Sequence, residues 1–308
     1  MGLTPTHPFP FLLFLFLFLS KATSRAPNRM LALVQNQPLV LKYHKGALLK
    51  GNISLHLLWY GTFTPTQRSI ILDFLQSLTS TSAPHTPSVS TWWRTTESYR
   101  GGPCTLGIGN QILDQNYSLG KSLNTHHLLA LASNPKLTSP RAVHVILTSA
   151  DVAVQDFCVS QCGTHASAKT KSGQRIAYAW VGNSVTQCPG QCAWPFHQPL
   201  YGPQTPPLLP PNADVGVDGM VVNLATVLAG VVTNPFEDGY FQGPATAPLE
   251  AVSACTGIFG KGAYPGYAGD VLVENTTGAS YNAVGLRGRR FLLPAMWDPI
   301  SSTCKTLV

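Results

Sequence analysis

The segment Ile53-Ser-Leu-His-Leu-Leu-Trp-Tyr-Gly61, followed by Pro65-Thr-Gln-Arg-Ser-Ile-Ile-Leu-Asp-Phe-Leu-Gln-Ser-Leu78, carries the clearest strand–helix pattern in the chain. Its first part is apolar and aromatic and ends at glycine, which predicts a strand. In its second part, apolar residues recur at i, i+1, i+4, i+5 and i+8 from Ile70, which predicts a helix with one apolar face. A strand that leads into a helix indicates an α/β or α+β protein.

Similar patterns extend in both directions from this segment. We expect further strands over Val89–Ser98, Leu106–Tyr117 and Arg141–Ser149, and helices that begin at Thr125 and Asp218. The second of these helices, over 218–232, is almost continuously apolar and is therefore expected to be buried. The prolines between Trp194 and Pro211 predict an irregular segment. The sequence thus predicts one mixed sheet with packed helices and Gly/Pro-rich loops.

The composition excludes several classes of protein. Charged residues are only 11% of the 308 residues, hydrophobic residues are 44%, and the formal net charge is +7. A disordered chain has the opposite balance, and a coiled coil needs Glu/Lys-rich heptads. Only 13 residues are acidic, so few carboxylates are available for a catalytic or metal site.

The N-terminal region is typical of a secretory signal peptide. Phe11–Leu19 is an uninterrupted run of Phe and Leu, followed by the small-x-small site Ser20-Lys21-Ala22. As a helix, nine residues span about 14 Å, roughly half the hydrocarbon core of a membrane. We therefore expect a signal peptide at 1–22, a flexible lead-in at 23–40, a single domain at 41–308, and no membrane span. An exported protein is not expected to bind nucleic acid.

The cysteines and sequons agree with export to an oxidising, extracellular space. We expect disulfides among six cysteines, for which 15 pairings are possible, and a zinc site at the C-x3-C pairs is the less favoured alternative. The seventh, Cys104, is expected to be unpaired in a loop. Three sequons, at Asn52, Asn116 and Asn275, predict glycosylation. The six disulfide candidates are Cys158, Cys162, Cys188, Cys192, Cys255 and Cys304.

Common catalytic and cofactor motifs are absent from the sequence. There is no G-x-S-x-G, no P-loop and no H-E-x-x-H, and spacing does not pair the acidic residues as a glycosidase requires. Asn212–Gly219 alternates oxygen-bearing side chains like a calcium loop but lacks the final Glu. An Asx-rich turn that caps the next helix is the favoured interpretation.

Several long motifs resemble a known family. They include Trp180-Val-Gly-Asn-Ser184, Gln187-Cys-Pro-Gly-Gln-Cys-Ala-Trp-Pro-Phe196, Pro248-Leu-Glu-Ala-Val-Ser-Ala-Cys-Thr-Gly257 and Gly262-Ala-Tyr-Pro-Gly-Tyr267. Together they resemble the plant EXORDIUM-like, or phosphate-induced protein 1, family over residues 41 to 308. The resemblance implies an apoplastic, cell-wall-associated protein linked to growth and brassinosteroid response, with no established enzymatic activity.

A weaker resemblance concerns residues 218–255. Ala225-Thr-Val-Leu-Ala-Gly-Val-Val-Thr-Asn-Pro235 is similar to the active-site helix A-H-E-[LI]-A-E-A-x-T-[DN]-P of certain zinc peptidases. The resemblance implies a zincin-like fold in which Thr226, Val227 and Gly230 replace the first ligand, the base and the second ligand. Glu250 alone remains as a ligand, whereas catalytic zinc needs three protein ligands and a base. We therefore expect no metal and no cofactor, and lean away from an enzyme; a coincidental likeness of apolar helices is equally compatible.

The functional expectation is a secreted, non-catalytic regulator of plant growth. Asp151, His165 and His197 lie in family motifs, and the hypothesis is that they line one pocket. The positive charge, including the cluster Arg287–Arg290, favours weak attraction to acidic wall polysaccharide, and an extracellular protein is the other expected partner. The alternatives are an extracellular hydrolase of wall glycans or peptides, and a structural wall-bound protein.

Overall fold

The structure is a computed structural model, and it describes residues 1–2, 38–80, 87–137, 141–159, 161–169, 173 and 175–308. Residues Leu39–Val308 form one compact unit, and Met1–Pro38 are a separate unit. The predicted signal peptide at 1–22 and the lead-in at 23–40 lie almost entirely outside the described residues.

The centre of the larger unit is a five-stranded mixed sheet. Its spatial order is β2-β1-β3-β5-β4, in which β4 runs antiparallel to β5 and the other neighbours are parallel. The predicted mixed sheet is therefore confirmed. The strands are β1 Gly51–Tyr60, β2 Cys104–Asp114, β3 Ala142–Thr148, β4 Gly163–Lys169 and β5 Arg175–Gly182.

Apolar side chains cover both faces of this sheet. In β5, Ala177, Ala179 and Val181 join the larger core, while Tyr178 and Trp180 join a second core on the opposite face. Successive side chains of a strand point to opposite faces, so an uninterrupted apolar strand buries both. Burial on both faces is typical of parallel sheets covered by helices.

Among the described residues, five α-helices accompany the sheet. They are α1 Pro65–Ser77, α2 Val89–Trp93, α3 Thr125–Ala132, α4 Pro189–Cys192 and α5 Val215–Thr233. Apolar residues of α1 and α5 belong to the larger core, whereas those of α3 belong to the second. The sheet is therefore a layer between α1 and α5 on one side and α3 on the other. The 3₁₀ helices are Arg94–Ser98, Pro135–Leu137, Ser253–Cys255 and Leu286–Gly288.

The longest of the described helices, α5, lies in the larger core. It is long and apolar enough to cross a membrane, but most of it is buried inside the protein. The side chain of Asp214 accepts a hydrogen bond from the Val217 N–H at 2.9 Å and caps the helix. This confirms the predicted Asx-rich cap and the predicted buried helix.

The strand predicted over Val89–Ser98 was wrong, because this segment is α2 followed by a 3₁₀ helix. Ser88 caps α2, and its hydroxyl accepts a hydrogen bond from the Thr91 N–H at 3.1 Å. The indole N–H groups of Trp92 and Trp93 donate to backbone carbonyls at 2.7 and 2.8 Å. Burial of both rings therefore overrides the strand preference of Thr and Trp.

Three disulfides tie the loops to this framework: Cys158–Cys188, Cys162–Cys192 and Cys255–Cys304. The first and second cysteines of one C-x3-C pair are thus bonded to the first and second cysteines of the other. Cys104 is unpaired and buried. It does not lie in a loop as expected, because it is the first residue of β2.

Short strand pairs complete the fold. Lys42–Tyr43 pairs with Tyr240–Phe241, Leu272–Val273 with Ser280–Tyr281, Ala283–Val284 with Arg290–Phe291, Met296–Asp298 with Thr303–Lys305, and Ser122–Leu123 with Ala153–Val154. The proline-rich segment 194–211 contains neither helix nor strand, as predicted.

Candidate functional site

A cavity of about 470 Å³, which we call the central cavity, lies between β4, α5 and the segment 245–253. Its size falls within the range of small-molecule sites in proteins. Its wall includes several hydroxyl, amide and carboxylate side chains, which suit a polar ligand. The polar residues are Gln161, Thr164, His165, Thr226, Glu237, Thr246, Glu250 and Ser253.

A largely buried pair of side chains, His165 and Glu250, forms part of this wall. His165 Nε2, on β4, lies 2.8 Å from Glu250 Oε2, and the two side chains are only 9% and 13% exposed. Glu250 Oε1 accepts a hydrogen bond from Asn234 Nδ2 at 2.6 Å. Both carboxylate oxygens are therefore engaged by neighbouring side chains.

Gly230 makes the close approach of this pair to α5 possible. A Cβ atom at position 230 would lie 2.7 Å from both Glu250 Oε2 and His165 Nε2, a distance that non-bonded atoms do not adopt. The missing side chain thus leaves a notch in the helix into which the two polar side chains fit. The glycine lowers local helix propensity by about 1 kcal/mol relative to alanine.

The positions matched to the zinc-peptidase motif do gather at this cavity. Thr226, Val227 and Glu250 line it, and Gly230 faces Glu250 and His165. The Thr226 hydroxyl donates to the Val222 carbonyl at 3.0 Å, and Val227 has no donor atom for a metal. Across the described part of the chain, no group of three His, Cys, Asp or Glu residues is arranged to hold a metal ion. These residues do not fit a catalytic zinc.

The other two residues of the predicted pocket lie elsewhere. His197 lines a separate cavity of about 300 Å³ with Trp194 and Tyr267. Asp151 accepts hydrogen bonds from Lys121 Nζ at 2.5 Å, Ser149 Oγ at 2.6 Å and the Tyr117 hydroxyl at 2.8 Å. The structure therefore does not bring Asp151, His165 and His197 into one cavity among the residues that it describes.

Asp151 forms a surface ion pair with Lys121, and its surroundings shift the pKa of its carboxyl group. Partial burial acts to raise the pKa of Asp151, but the hydrogen bonds from Lys121, Ser149 and Tyr117 outweigh it and hold the pKa well below its usual range. The carboxylate is thus ionised at any physiological pH. Its partners are a lysine, a serine and a tyrosine, which suits a structural contact rather than proton transfer.

Two residues at or next to the central cavity, Asn234 and Glu237, were not among the site residues predicted from the sequence. Asn234 follows α5 and holds Glu250, and its own side-chain oxygen accepts from the Gly239 N–H at 2.7 Å. Glu237 lines the cavity and has a left-handed backbone, with φ of 65°. A non-glycine residue in this region is uncommon. The Asn-Pro motif after the helix was a signal for Asn234, whereas no local signal indicates that His165 contacts Glu250.

The fold and the cavity define a class: a disulfide-linked protein with a mixed sheet and an acid–histidine pair against its central helix. Comparison with known proteins adds the family. The model of the phosphate-induced protein 1 conserved region matches residues 41–307. The chain belongs to this family, as its long motifs predict.

Named relatives cover nearly the whole chain. Protein EXORDIUM-like 2 of Arabidopsis thaliana is 64% identical over 284 residues, which are 90% of this chain and 92% of the relative. Protein EXORDIUM of the same plant is 59% identical, covering 89% and 91%. Protein PHOSPHATE-INDUCED 1 of Nicotiana tabacum is 57% identical, covering 92% and 93%. No solved structure matches the chain.

Proposed function

We propose that this protein is a secreted, non-catalytic regulator of plant cell expansion that acts in the apoplast and cell wall by binding a ligand in the central cavity. The observation that carries the proposal is the state of Glu250. Its two oxygens accept from His165 and Asn234, so the carboxylate shapes the cavity wall instead of being presented to a substrate. The link to growth and brassinosteroid response comes from family resemblance.

Three features support an extracellular location. Disulfides such as the three in this chain persist in oxidising compartments. Asn52, Asn116 and Asn275 are all exposed, so each is accessible for glycosylation. The apolar run Phe11–Leu19 has the length and composition of a signal-peptide core.

A zincin-like origin of the scaffold is part of the proposal. The supporting observation is that Thr226, Val227 and Glu250 line one cavity and that Gly230 faces Glu250. In such an ancestor the side chains at positions 226 and 230, together with the acidic residue at 250, would have bound zinc. In this chain His165 occupies the notch instead, and the cavity keeps its shape while losing the metal chemistry.

The proposal is tested by filling the mouth of the cavity. Thr246 is exposed at the rim, so Thr246→Trp narrows the entrance without entering the core. Thr66→Trp, at an exposed position in the first turn of α1, is the matched control. Both are expressed in seedlings that lack related proteins, and the apoplastic fluid is assayed for each variant.

We expect the wild-type chain and the Thr66→Trp variant to restore cell elongation and to accumulate in the apoplast. The Thr246→Trp variant should accumulate equally but fail to restore growth. Full growth with Thr246→Trp would contradict a ligand-binding cavity. Retention of the wild-type chain inside cells would contradict the extracellular role.

An extracellular hydrolase is a second candidate, because Glu237 and Glu250 line the same cavity. Two carboxylates are the usual equipment of a glycosidase. Release of sugars or peptides from wall material by the purified chain, lost in both Glu237→Gln and Glu250→Gln, would replace the non-catalytic proposal. Elution of an inactive chain from walls by modest salt, with no effect of Thr246→Trp on growth, would favour the structural alternative.

A further inference from the structure

A third cavity, of about 360 Å³, shares no lining residue with the other two and is rich in arginine side chains. Three arginines of one short loop, Arg287, Arg289 and Arg290, line it together with Ser69, Asp73 and Asn212. We refer to it as the arginine cleft. It contains three guanidinium groups and one carboxylate, an excess of positive charge.

Arg289 forms the fixed base of the arginine cleft. It donates from Nε to Asp73 Oδ2 at 2.7 Å, from Nη1 to Asn212 Oδ1 at 2.9 Å and from Nη2 to Ser69 Oγ at 3.3 Å. A guanidinium has five N–H donors, so two remain after these bonds. The group is 27% exposed, and its remaining donors are therefore held in position at little further entropy cost.

Asn212 is itself fixed from behind. Its backbone N–H and its Nδ2 donate to the two oxygens of Asp218 at 2.9 and 2.6 Å. Burial raises the pKa of Asp218 to about 7, so in acidic surroundings this carboxyl is protonated and adds no negative charge behind the arginine cleft. A supporting residue of this kind is typical of a preorganised site.

The other two arginines, Arg287 and Arg290, also line the cleft. Most of their N–H donors are not used in hydrogen bonds within the described part of the protein. Arg287 is 78% exposed and makes only a long contact, 3.3 Å from Nη1 to Asp73 Oδ1. Its backbone is left-handed, with φ of 56°. Arg290 is 36% exposed, pairs with Glu274 at 2.5 Å and lies over the Tyr281 ring. Asp73 and Glu274 offset part of the charge, and each engages a single Nη atom of its flanking arginine.

We propose that the arginine cleft binds the carboxylates of an acidic polysaccharide, a chain of uronic-acid units. Planar guanidinium groups match carboxylates with two parallel hydrogen bonds. Arg287, Arg289 and Arg290 all line the cleft, so more than one carboxylate of the same polymer meets a cation there, and the contacts add through avidity. The net charge of +7 attracts a polyanion to the surface.

This inference takes its polymer from the extracellular location in the proposed function, but its test does not depend on growth. The purified full chain is titrated with de-esterified polygalacturonate, and the affinity is compared with that for the fully methyl-esterified polymer. Polyglutamate and inorganic phosphate, at constant ionic strength, serve as other sources of anionic oxygen. Thermal unfolding confirms that each variant is folded.

We expect Arg287→Gln to weaken the binding of polygalacturonate about three- to fivefold. The effect is small because the ion pair that Arg287 forms with a polymer carboxylate is exposed to solvent. The double variant Arg287→Gln/Arg290→Gln should lose about tenfold or more in affinity, because the free-energy losses of substitutions at separate sites add. Arg94→Gln, an exposed arginine outside the cleft, removes the same charge and should retain wild-type affinity.

Three results would overturn the proposal. The first is an equal loss of affinity in Arg94→Gln and Arg287→Gln. The second is that the esterified polymer or polyglutamate binds as tightly as de-esterified polygalacturonate, and the third is that millimolar phosphate displaces the polymer. The first indicates general charge attraction, and the others indicate no selectivity for uronic acids. A failure here leaves the central-cavity proposal intact, because Thr246→Trp does not touch the arginine cleft. A failure of the growth assay likewise leaves the polymer titration valid.

Discussion

Removal of the Glu250 side chain should destabilise the protein, because two neighbouring hydrogen-bond donors lose their acceptor. In Glu250→Ala, His165 Nε2 and Asn234 Nδ2 both lose their acceptor. A buried polar group left without a partner costs about 1–3 kcal/mol. Water entering from the adjacent cavity offsets part of this cost, so we expect a loss of about 2–4 kcal/mol in the free energy of unfolding. For a domain of this size that corresponds to a fall in Tm of about 5–12 °C.

A double-mutant cycle separates the contact from the cavity that the substitution leaves. His165→Ala removes the same contact from the other side, so the double variant should cost about 1–2 kcal/mol less than the sum of the single variants. Glu97→Ala, at an exposed position, is the control and should stay within about 0.5 kcal/mol of wild type.

The free energies are measured by guanidinium unfolding with the disulfides intact, followed by circular dichroism and by tryptophan fluorescence. Coincident transitions establish that the two-state treatment applies. Additivity of the two single variants within about 0.5 kcal/mol would refute the reasoning. So would a cost below about 1 kcal/mol for Glu250→Ala, because the pair would then contribute no more than an exposed contact.

Three further outcomes are expected. Gly230→Ala should lower stability by about 1–2 kcal/mol despite better helix propensity, because its Cβ would lie 2.7 Å from both members of the pair. Gly107→Ala, with nothing within 4 Å, should be neutral or stabilising, and a stabilising Gly230→Ala in thermal melts would show that the pair moves freely. Burial raises the pKa of Asp218 to about 7, above about 3.9 when unfolded, so its contribution to stability should fall as pH rises from about 4 to 7. Asp218→Asn should shrink the Tm difference between pH 5 and pH 8, and an unchanged difference would count against this linkage. Burial raises the pKa of the Cys104 thiol to about 12, so iodoacetamide should label it at pH 8 only after unfolding; labelling of the native chain, detected by mass spectrometry, would contradict its burial.

Elements whose signals are local were predictable. The capping box of Thr64 and Gln67 starts α1 where the pattern places it, and the apolar runs of β1 and β3 lie within a few residues of their predicted bounds. In each case the deciding contacts lie within one turn or one strand. Local propensity and hydrogen bonding therefore suffice.

Elements that depend on distant contacts were not predictable. Neither β4 nor β5 is predicted as a strand from the sequence pattern. The small residues of β4, Gly163-Thr-His-Ala-Ser-Ala-Lys169, show no clear alternation, and it becomes a strand by pairing with β5. Likewise, Val89–Ser98 becomes helical because Pro294 and Cys104 supply carbonyls for its two indoles. Long-range partners override propensity in both cases.

The site shows the same division. The motif resemblance indicated Thr226, Val227, Gly230 and Glu250 as one region, since all lie on or shortly after one helix. The contact of His165 with Glu250 joins residues 85 positions apart. It requires β4 to lie beside β5 in a fixed register and α5 to carry a glycine at the crossing point. No spacing along the chain encodes that meeting.

The sequence by itself determined the class of this protein: a charge-poor chain with strand–helix patterning, six cysteines suited to disulfides, and the motifs of the phosphate-induced protein 1 family. Only the tertiary structure decided which cysteines pair and which polar residues share a cavity. It also placed the three arginines around one cleft with Asp73 and Asn212. The physical reason is that composition and short-range propensity act along the chain, whereas pairing and site geometry depend on packing between segments far apart in sequence.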